Sequence, residues 1–238
     1  MAAVPPTVLP DRAARSRFRR RLLAWYGRHR RDLPWRETDD PYRILVSEIM
    51  LQQTQVERVV PKYHEFLDRY PTLEALAGSA PEEVKRLWYP LGYNIRPLHL
   101  HGIAREAVSS YGGRLPDDGA ALRGMRGIGR YTAGAVLCFA YGRAVPIVDT
   151  NVRRVLGRVF LGPRRLGRLR GQKAMWDLAG ALVPPRKAYD YNQALMDFGA
   201  TWCTARAPRC PPCPMKGFCA TYRATPGRRE GTDGRARR

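Results

Sequence analysis

No stretch of this sequence is long and apolar enough to cross a bilayer. The longest apolar run, residues 133–141, is interrupted by Gly134 and falls far short of the roughly 18–20 residues a span requires. Acidic residues are scarce beside basic ones: 21 Asp+Glu face 42 Lys+Arg, a formal net charge of +21. Lysine is rarer still. Only Lys62, Lys85, Lys173, Lys187 and Lys216 contribute, so arginine carries the charge. Strand signals are few. The best β-like stretch, residues 145–148, is too short to build a sheet. The N-terminus places its basic run, residues 12–21, after its apolar residues, the wrong order for a signal peptide. These absences exclude a membrane-spanning protein and a β fold. They point to the cytoplasm, nucleoid-associated if the source is bacterial, where disulfides are rare.

What is present is a basic, globular composition. Hydrophobic residues make up 44% and aromatics 10% of 238 residues, enough for one large domain or two small ones. A surplus of +21 calls for a polyanionic partner or a heavy counterion atmosphere, and genomic base composition is an alternative source of part of the arginine excess. Nucleic acid is the first candidate and an anionic membrane surface the second. The apolar spacing is helical. Phe18, Leu22, Trp25 and Tyr26 form a stripe at i, i+4, i+7, i+8 and predict a basic amphipathic helix over 12–29. Further helices are predicted near 42–53, 55–69, 82–87, 97–110, 119–123, 130–140, 151–160, 172–183, 187–202 and 214–222, parted by Pro and Gly turns. Residues 1–11 and 225–238 read as disordered ends. The expected class is all-α, with a small metal-bound lobe near the C-terminal end.

The five cysteines divide into one and four. Cys138 stands alone in an apolar segment and reads as a small core residue. Cys203, Cys210, Cys213 and Cys219 are spaced C-x6-C-x2-C-x5-C, which in a cytosolic chain reads as a metal site. Zinc and an iron–sulfur cluster both accept four thiolates, and spacing does not choose between them.

Three other segments carry chemistry. On a helical wheel Glu48 falls among Ile44, Leu45, Ile49 and Val56. A carboxylate there loses hydration and its pKa rises; it is either held by a structural partner or used as a general acid. Gln52-Gln53-Thr54-Gln55 follows, amides suited to base-edge or base-step contacts or to a solvated helix end. Leu122 to Gly134 reads as helix-hairpin-helix, h-x-G-h-G-x-x-T-A. Gly127 and Gly129 permit a tight left-handed turn, and backbone N–H groups at the next helix start favour a phosphate; an ordinary interhelical turn reads similarly. Asp149 or Thr150 is a good N-cap, and the helix dipole with backbone N–H groups would keep Asp149 ionised. One carboxylate pushed towards neutral and one towards anionic is the division of labour of glycosidic bond cleavage.

The order of these motifs resembles the endonuclease III superfamily of DNA glycosylases. Within it the sequence is most similar to the MutY-type adenine glycosylases, with further likeness in Arg31-Asp32-Leu33-Pro34-Trp35-Arg36, Leu91-Gly92-Tyr93 and Asn192-Gln193-Ala194-Leu195-Met196-Asp197. The resemblance implies a two-lobed α fold: a six-helix lobe over 39–148, and a [4Fe–4S] cluster lobe built from 12–38 with 149–224. It implies monomeric action on double-stranded DNA with a mispaired base, without a membrane, the target nucleotide being flipped out. Glu48 would protonate the departing base, at N7 for adenine, and then activate water. Asp149 would stabilise the oxocarbenium-like sugar or trap it covalently, with Tyr131 and Asn151 positioning these groups. Gln52 or Gln53 would fill the gap in the duplex. Gly127, Gly129 and Arg130 would hold phosphates; Arg206, Arg209 and Lys216 in the cysteine loop either dock phosphates too or form a solvated basic loop. Arg31, Leu33, Trp35 and Gln193 would line the base pocket, and the four cysteines would ligate the cluster. Bifunctional members have a lysine at position 131; tyrosine there implies base removal without strand cleavage.

The sequence departs from that pattern at Met125-Arg126-Gly127, where Leu-Pro-Gly is usual, and at Asn94, where a second tyrosine is common. The tail is expected to be too short and polar to form the 8-oxoguanine-recognition domain that MutY-type enzymes usually carry. The expected activity is removal of adenine opposite guanine or 8-oxoguanine. The alternatives are a thymine/uracil mismatch glycosylase, whose compact members also carry tyrosine at this position but lack the Gln-Gln-Thr-Gln run, and a non-catalytic iron–sulfur DNA-binding protein.

Overall fold

The computed structural model describes residues 9–92, 95–163 and 172–225, and among them every regular element is helical. Tyr93, Asn94, the basic stretch 164–171, residues 1–8 and the tail 226–238 lie outside the described residues. The chain divides into two compact units, one formed by Arg31–Val145 and the other by Met1–Arg30 with Pro146–Arg238.

The 31–145 unit is organised around α2 (Pro41–Met50). Asp40 caps it, accepting from the Tyr42 and Arg43 N–H groups at 2.8 and 3.5 Å, and Pro41 occupies the first turn, where no N–H partner is needed. Tyr42 and every residue from Ile44 to Met50 are buried, so nearly all of α2 is surrounded by protein. α3 (Val56–Arg69) turns Val59, Tyr63, Phe66 and Leu67 inward. α5 (Pro81–Trp88), α6 (Ile95–Tyr111), α7 (Gly119–Gly124) and α8 (Arg130–Phe139) complete the unit, with α2 packed on α3, α6 and α8. One helix escaped the sequence reading. α4 (Leu73–Ala77) is a little over one turn, too short to show a period; Thr72 caps it through the Ala75 N–H, and Leu73 and Leu76 anchor it.

The other unit contains α1 (Arg12–His29), α9 (Thr150–Leu156), α10 (Gln172–Leu182), α11 (Ala188–Asp197) and α12 (Ala220–Ala224). The predicted α1 stripe is buried: Phe18, Leu22, Trp25 and Tyr26. Asp11, expected within a disordered end, instead caps α1 by accepting the Ala14 N–H at 2.7 Å. α9 and α11 each continue as one π turn, Gly157–Leu161 and Phe198–Trp202. Arg19 closes the C-terminal end of α10, donating to the carbonyls of Ala181, Leu182 and Val183 at 2.8–3.1 Å. Residues 214–222, predicted as one helix, hold a 3-10 turn (Lys216–Phe218) and the start of α12, because Cys219 interrupts them in extended conformation.

The unit boundaries differ from the predicted 39–148 and 12–38 with 149–224. Residues 31–38 belong with α2 because Leu33 and Trp35 enter its apolar core, the Trp35 ring meeting Tyr63 edge-on at 5.5 Å. Residues 146–148 belong with α11 because Ile147 is buried and its N–H donates to Asn192 Oδ1 at 3.3 Å.

Candidate functional site

Glu48 occupies the last turn of α2 and is 3% exposed, as the helical wheel requires. Leu51 ends the helix and residues 52–54 turn sharply. Gln52 is half-buried; Gln53 is exposed at φ +57°, the one non-glycine residue with positive φ among the described residues. Holding a glutamine in that region costs on the order of 1 kcal/mol or more. The cost is met locally by Arg96, a buried residue outside the motifs read from the sequence, whose guanidinium binds the turn's carbonyls.

The hairpin joins α7 to α8. Met125 and Ile128 are buried plugs, while Gly127, Gly129 and Arg130 are exposed. The two glycines are not equivalent. Gly127 has φ +103°, and a Cβ there would meet the His99 side chain at 2.8 Å. Gly129 caps α8 with φ −85°, and a Cβ there would meet nothing within 4 Å. Only Gly127 is left-handed, which corrects the expectation for the pair. Gly129 instead leaves open space in front of a helix start that has no side-chain cap, where N–H groups and dipole favour an anion. Tyr131 is half-buried in the first turn of α8.

Asp149 caps α9. Oδ1 accepts the Val152 N–H at 2.6 Å and Oδ2 accepts from Asn151 Nδ2 at 3.0 Å. Asn151 Oδ1 accepts from Arg154 Nη2 at 2.7 Å, and Arg154 also donates to the carbonyls of Gly199 and Cys203 at 2.7 and 2.9 Å. Gly199 lets α11's π turn approach; a Cβ there would lie 2.6 Å from the Asn151 Cβ. The cap is not the only influence on its ionisation. Burial raises the Asp149 carboxyl above its usual 3.8, and the bonds from Val152 and Asn151 only partly offset it. Arg154 was not singled out in the sequence; only its position one helical turn beyond Asn151 pointed to it.

Cys203, Cys210, Cys213 and Cys219 line one cavity of about 250 Å³, with Arg158, Trp202 and Met215 among its other walls. Arg158 Nη1 donates to the Cys203 carbonyl and Sγ at 3.3 and 3.5 Å, and the Met215 N–H donates to Cys213 Sγ at 3.4 Å. Burial pushes the Cys213 thiol up to about 11 and also raises Cys219, so a metal bound here would have to displace their protons. Among the described residues no three Cys, His, Asp or Glu converge closely enough for a single metal ion. A tetrahedral zinc with Zn–S bonds of about 2.3 Å needs sulfurs only about 3.8 Å apart. A four-iron cluster seats its thiolates around a larger body, and four cysteines lining one cavity fit that arrangement.

Arg206 and Arg209 are exposed on the same loop, Arg209 lying over the Trp202 ring at 5.7 Å, with Lys216 half-buried nearby. Leu33 and Trp35, expected in a base pocket, are core residues of the 31–145 unit. Arg31 is half-buried, and its carbonyl accepts from Arg36 at 2.8 Å. Gln193 is 4% exposed within α11.

Among the described residues, an all-helical architecture carries a glycine hairpin leading into a helix start without a side-chain cap, a buried glutamate in one unit, and an N-capping aspartate with a four-cysteine loop in the other. The family model "HhH-GPD superfamily base excision DNA repair protein" matches residues 46–179. Adenine DNA glycosylase of Mycolicibacterium smegmatis is 47% identical over 82% of this chain and 66% of its own length. The human adenine DNA glycosylase is 42% identical over 88% of this chain and 40% of its own length. A solved structure of a thermostable thymine-DNA glycosylase superposes with TM-score 0.84 at 37% identity, covering 89% of this chain and 97% of that one. The chain belongs to the HhH-GPD superfamily of base excision DNA repair proteins. It spans less than two thirds of the length of the adenine glycosylases it matches.

Proposed function

We propose that this chain is a monofunctional DNA glycosylase that removes adenine mispaired with guanine or 8-oxoguanine from double-stranded DNA. The observation that carries the reading is its 47% and 42% identity to adenine DNA glycosylases over more than four fifths of the chain, with Glu48 buried and Asp149 held by Asn151. Glu48 donates its proton to adenine N7 as the C1′–N9 bond breaks and its electron pair leaves with the base. Asp149 stabilises the positive charge that develops on the sugar. Water then adds hydroxide to C1′ and returns its proton to Glu48. Asn151 positions Asp149. Tyr131 has no amine to form a Schiff base, so the product is an abasic site in an intact strand. The hairpin at Gly127 and Gly129 and the arginines of the cysteine loop contact phosphates, and the chain acts as a monomer.

Cys203, Cys210, Cys213 and Cys219 would hold a [4Fe–4S] cluster, which supplies a structural cross-link for its loop. A purified chain that is brown with broad visible absorption supports this; a colourless, zinc-containing one removes it.

A second reading, thymine or uracil removal from mismatches with guanine, is favoured by the close superposition on the thymine-DNA glycosylase. Incubation with duplexes carrying A·8-oxoG, A·G, T·G or U·G, then alkaline cleavage, separates the two. Cleavage at the adenine strand is expected; cleavage only at thymine or uracil overturns the first reading. Borohydride trapping of an enzyme–DNA adduct would overturn monofunctional action.

A further inference from the structure

Arg96 lies in the first turn of α6 and is 5% exposed. Its guanidinium reaches two turns that are distant in sequence. Nη1 donates to the carbonyls of Ile49, Met50 and Gln52 at 3.0, 2.9 and 2.6 Å. Nη2 donates to Thr54 Oγ1 at 3.2 Å and to the carbonyls of Leu91 and Gly92 at 3.0 and 3.1 Å. The guanidinium carbon sits 5.5 Å from the Trp88 ring centroid.

The last carbonyls of a helix have no intrahelical partner and bear partial negative charge. At the end of α2 they are buried, and one planar cation satisfies them. The same cation binds the carbonyls of the second turn. Both turns depend on left-handed backbone, at Gln53 (φ +57°) and Gly92 (φ +70°). Each also presents side chains outward: Gln53 on the first, and Tyr89, 75% exposed, with Ile95, 54% exposed, flanking the second. Tyr89 and Ile95 are two of the few large hydrophobics that the described residues leave in solvent.

We propose that Arg96 is a positioning residue that locks these two turns into one rigid two-pronged element, which engages the disturbed base stack at a lesion. This rests on the glycosylase reading above. Arg96 is too buried to touch DNA and acts through Gln53 on one prong and Tyr89 and Ile95 on the other. Lysine cannot replace it. An ammonium is a point donor, whereas the guanidinium fork reaches acceptors on two sides at once. Undamaged duplex is held by phosphate contacts, which Arg96 does not set.

The test uses the full, cluster-loaded chain and the variant Arg96→Lys. Amide hydrogen exchange is expected to rise about tenfold or more at both turns, 52–54 and 91–92, and to stay unchanged in α3 and α8. Affinity for a duplex containing a tetrahydrofuran abasic-site analogue is expected to fall by about tenfold, against less than about twofold for the matched undamaged duplex. Equal losses on both duplexes, or faster exchange at one turn alone, overturns the proposal. Wild type that neither discriminates between the duplexes nor excises any base refutes the glycosylase reading instead, and the exchange measurement still tests the lock. Should Arg96→Lys not fold, Thr54→Val decides. It removes one contact on the first turn and is expected to raise exchange at Gly92 on the second; no change there overturns the lock.

Discussion

Glu48 sits in a helix whose residues are buried almost without exception, inside a unit held by one continuous apolar core from Leu33 to Val136. Asp149 heads a seven-residue helix, half-buried, in a unit where arginines do much of the joining: Arg19 to the end of α10, Arg21 to the Pro214 carbonyl, Arg154 and Arg158 to the cysteine loop. The first carboxylate stands on a helix fixed by packing, and the second is oriented by the bonds from Val152 and Asn151. Packing excludes water around a group and fixes its helix, but it tolerates small adjustments of neighbours. A chain of directed bonds fixes an angle and fails when one member is lost. The contrast matches the proposed roles, a proton donor that needs a water-poor site and an anion that must face one sugar carbon.

The contrast predicts a ranking of damage. The largest loss is expected from Glu48→Gln and Asp149→Asn, each slowing single-turnover adenine release by roughly 10²–10⁴-fold while duplex affinity persists. The two should differ in stability. Burial raises the Asp149 carboxyl above 3.8 in the fold, so its ionised form is the one the fold disfavours. That cost is absent below about 3.8 and grows as pH rises through the folded value. Asp149→Asn removes the cost near neutrality and forfeits about 1 kcal/mol from the Asn151 bond. Its melting temperature near pH 7 should therefore stay close to wild type. Relative to the variant, wild type should gain as the pH is lowered towards 4, as thermal melts across that range would show.

Next in size is Cys210→Ser. If the proposed cluster is bound, loss of this ligand should bleach its visible absorption and loosen residues 203–225 by several kcal/mol, because metal-binding energy in such loops is folding energy. Helices α2 to α8 should keep their hydrogen-exchange protection; collapse of both units together would erase the distinction drawn between them. Arg154→Ala should be milder, reducing excision about 10–100-fold by releasing Asn151, as loss of a supporting hydrogen bond commonly does. Unchanged excision would mean that Asp149 needs no such support. The smallest effects separate the hairpin glycines. Gly127→Ala combines a left-handed φ with the His99 clash and should destabilise by about 1–3 kcal/mol. Gly129→Ala, with φ −85° and open space, should leave the melting temperature within the roughly 0.5 kcal/mol of an ordinary surface change. Weaker DNA binding by that stable variant would locate a phosphate there.

Much of the site was legible because its signals are local. Glu48 announced itself as a carboxylate on an apolar arc, the hairpin as glycines around one plug, and the cysteines by spacing. Residues 12–29 carried a helical stripe that the structure buries as read. What escaped was short or long-range. α4 has no period to detect. Leu33 and Trp35 lie near a motif, but nothing in their neighbourhood said they would join the core of α2 and α3. The cap of Asp149 was legible, but the burial that opposes its ionisation was not, because burial is set by the fold.

By itself the sequence determined the helical class, the positive surplus, the four-thiol loop and the two carboxylates, since each rests on composition, periodicity or spacing within a few residues. Only the tertiary structure decided which arginines hold those groups. Arg96 meets Ile49, Gln52 and Thr54 across more than forty positions, and Arg154 meets Cys203 across 49. A guanidinium's partners are set by which carbonyls the fold leaves unbonded, and that is a property of packed helices.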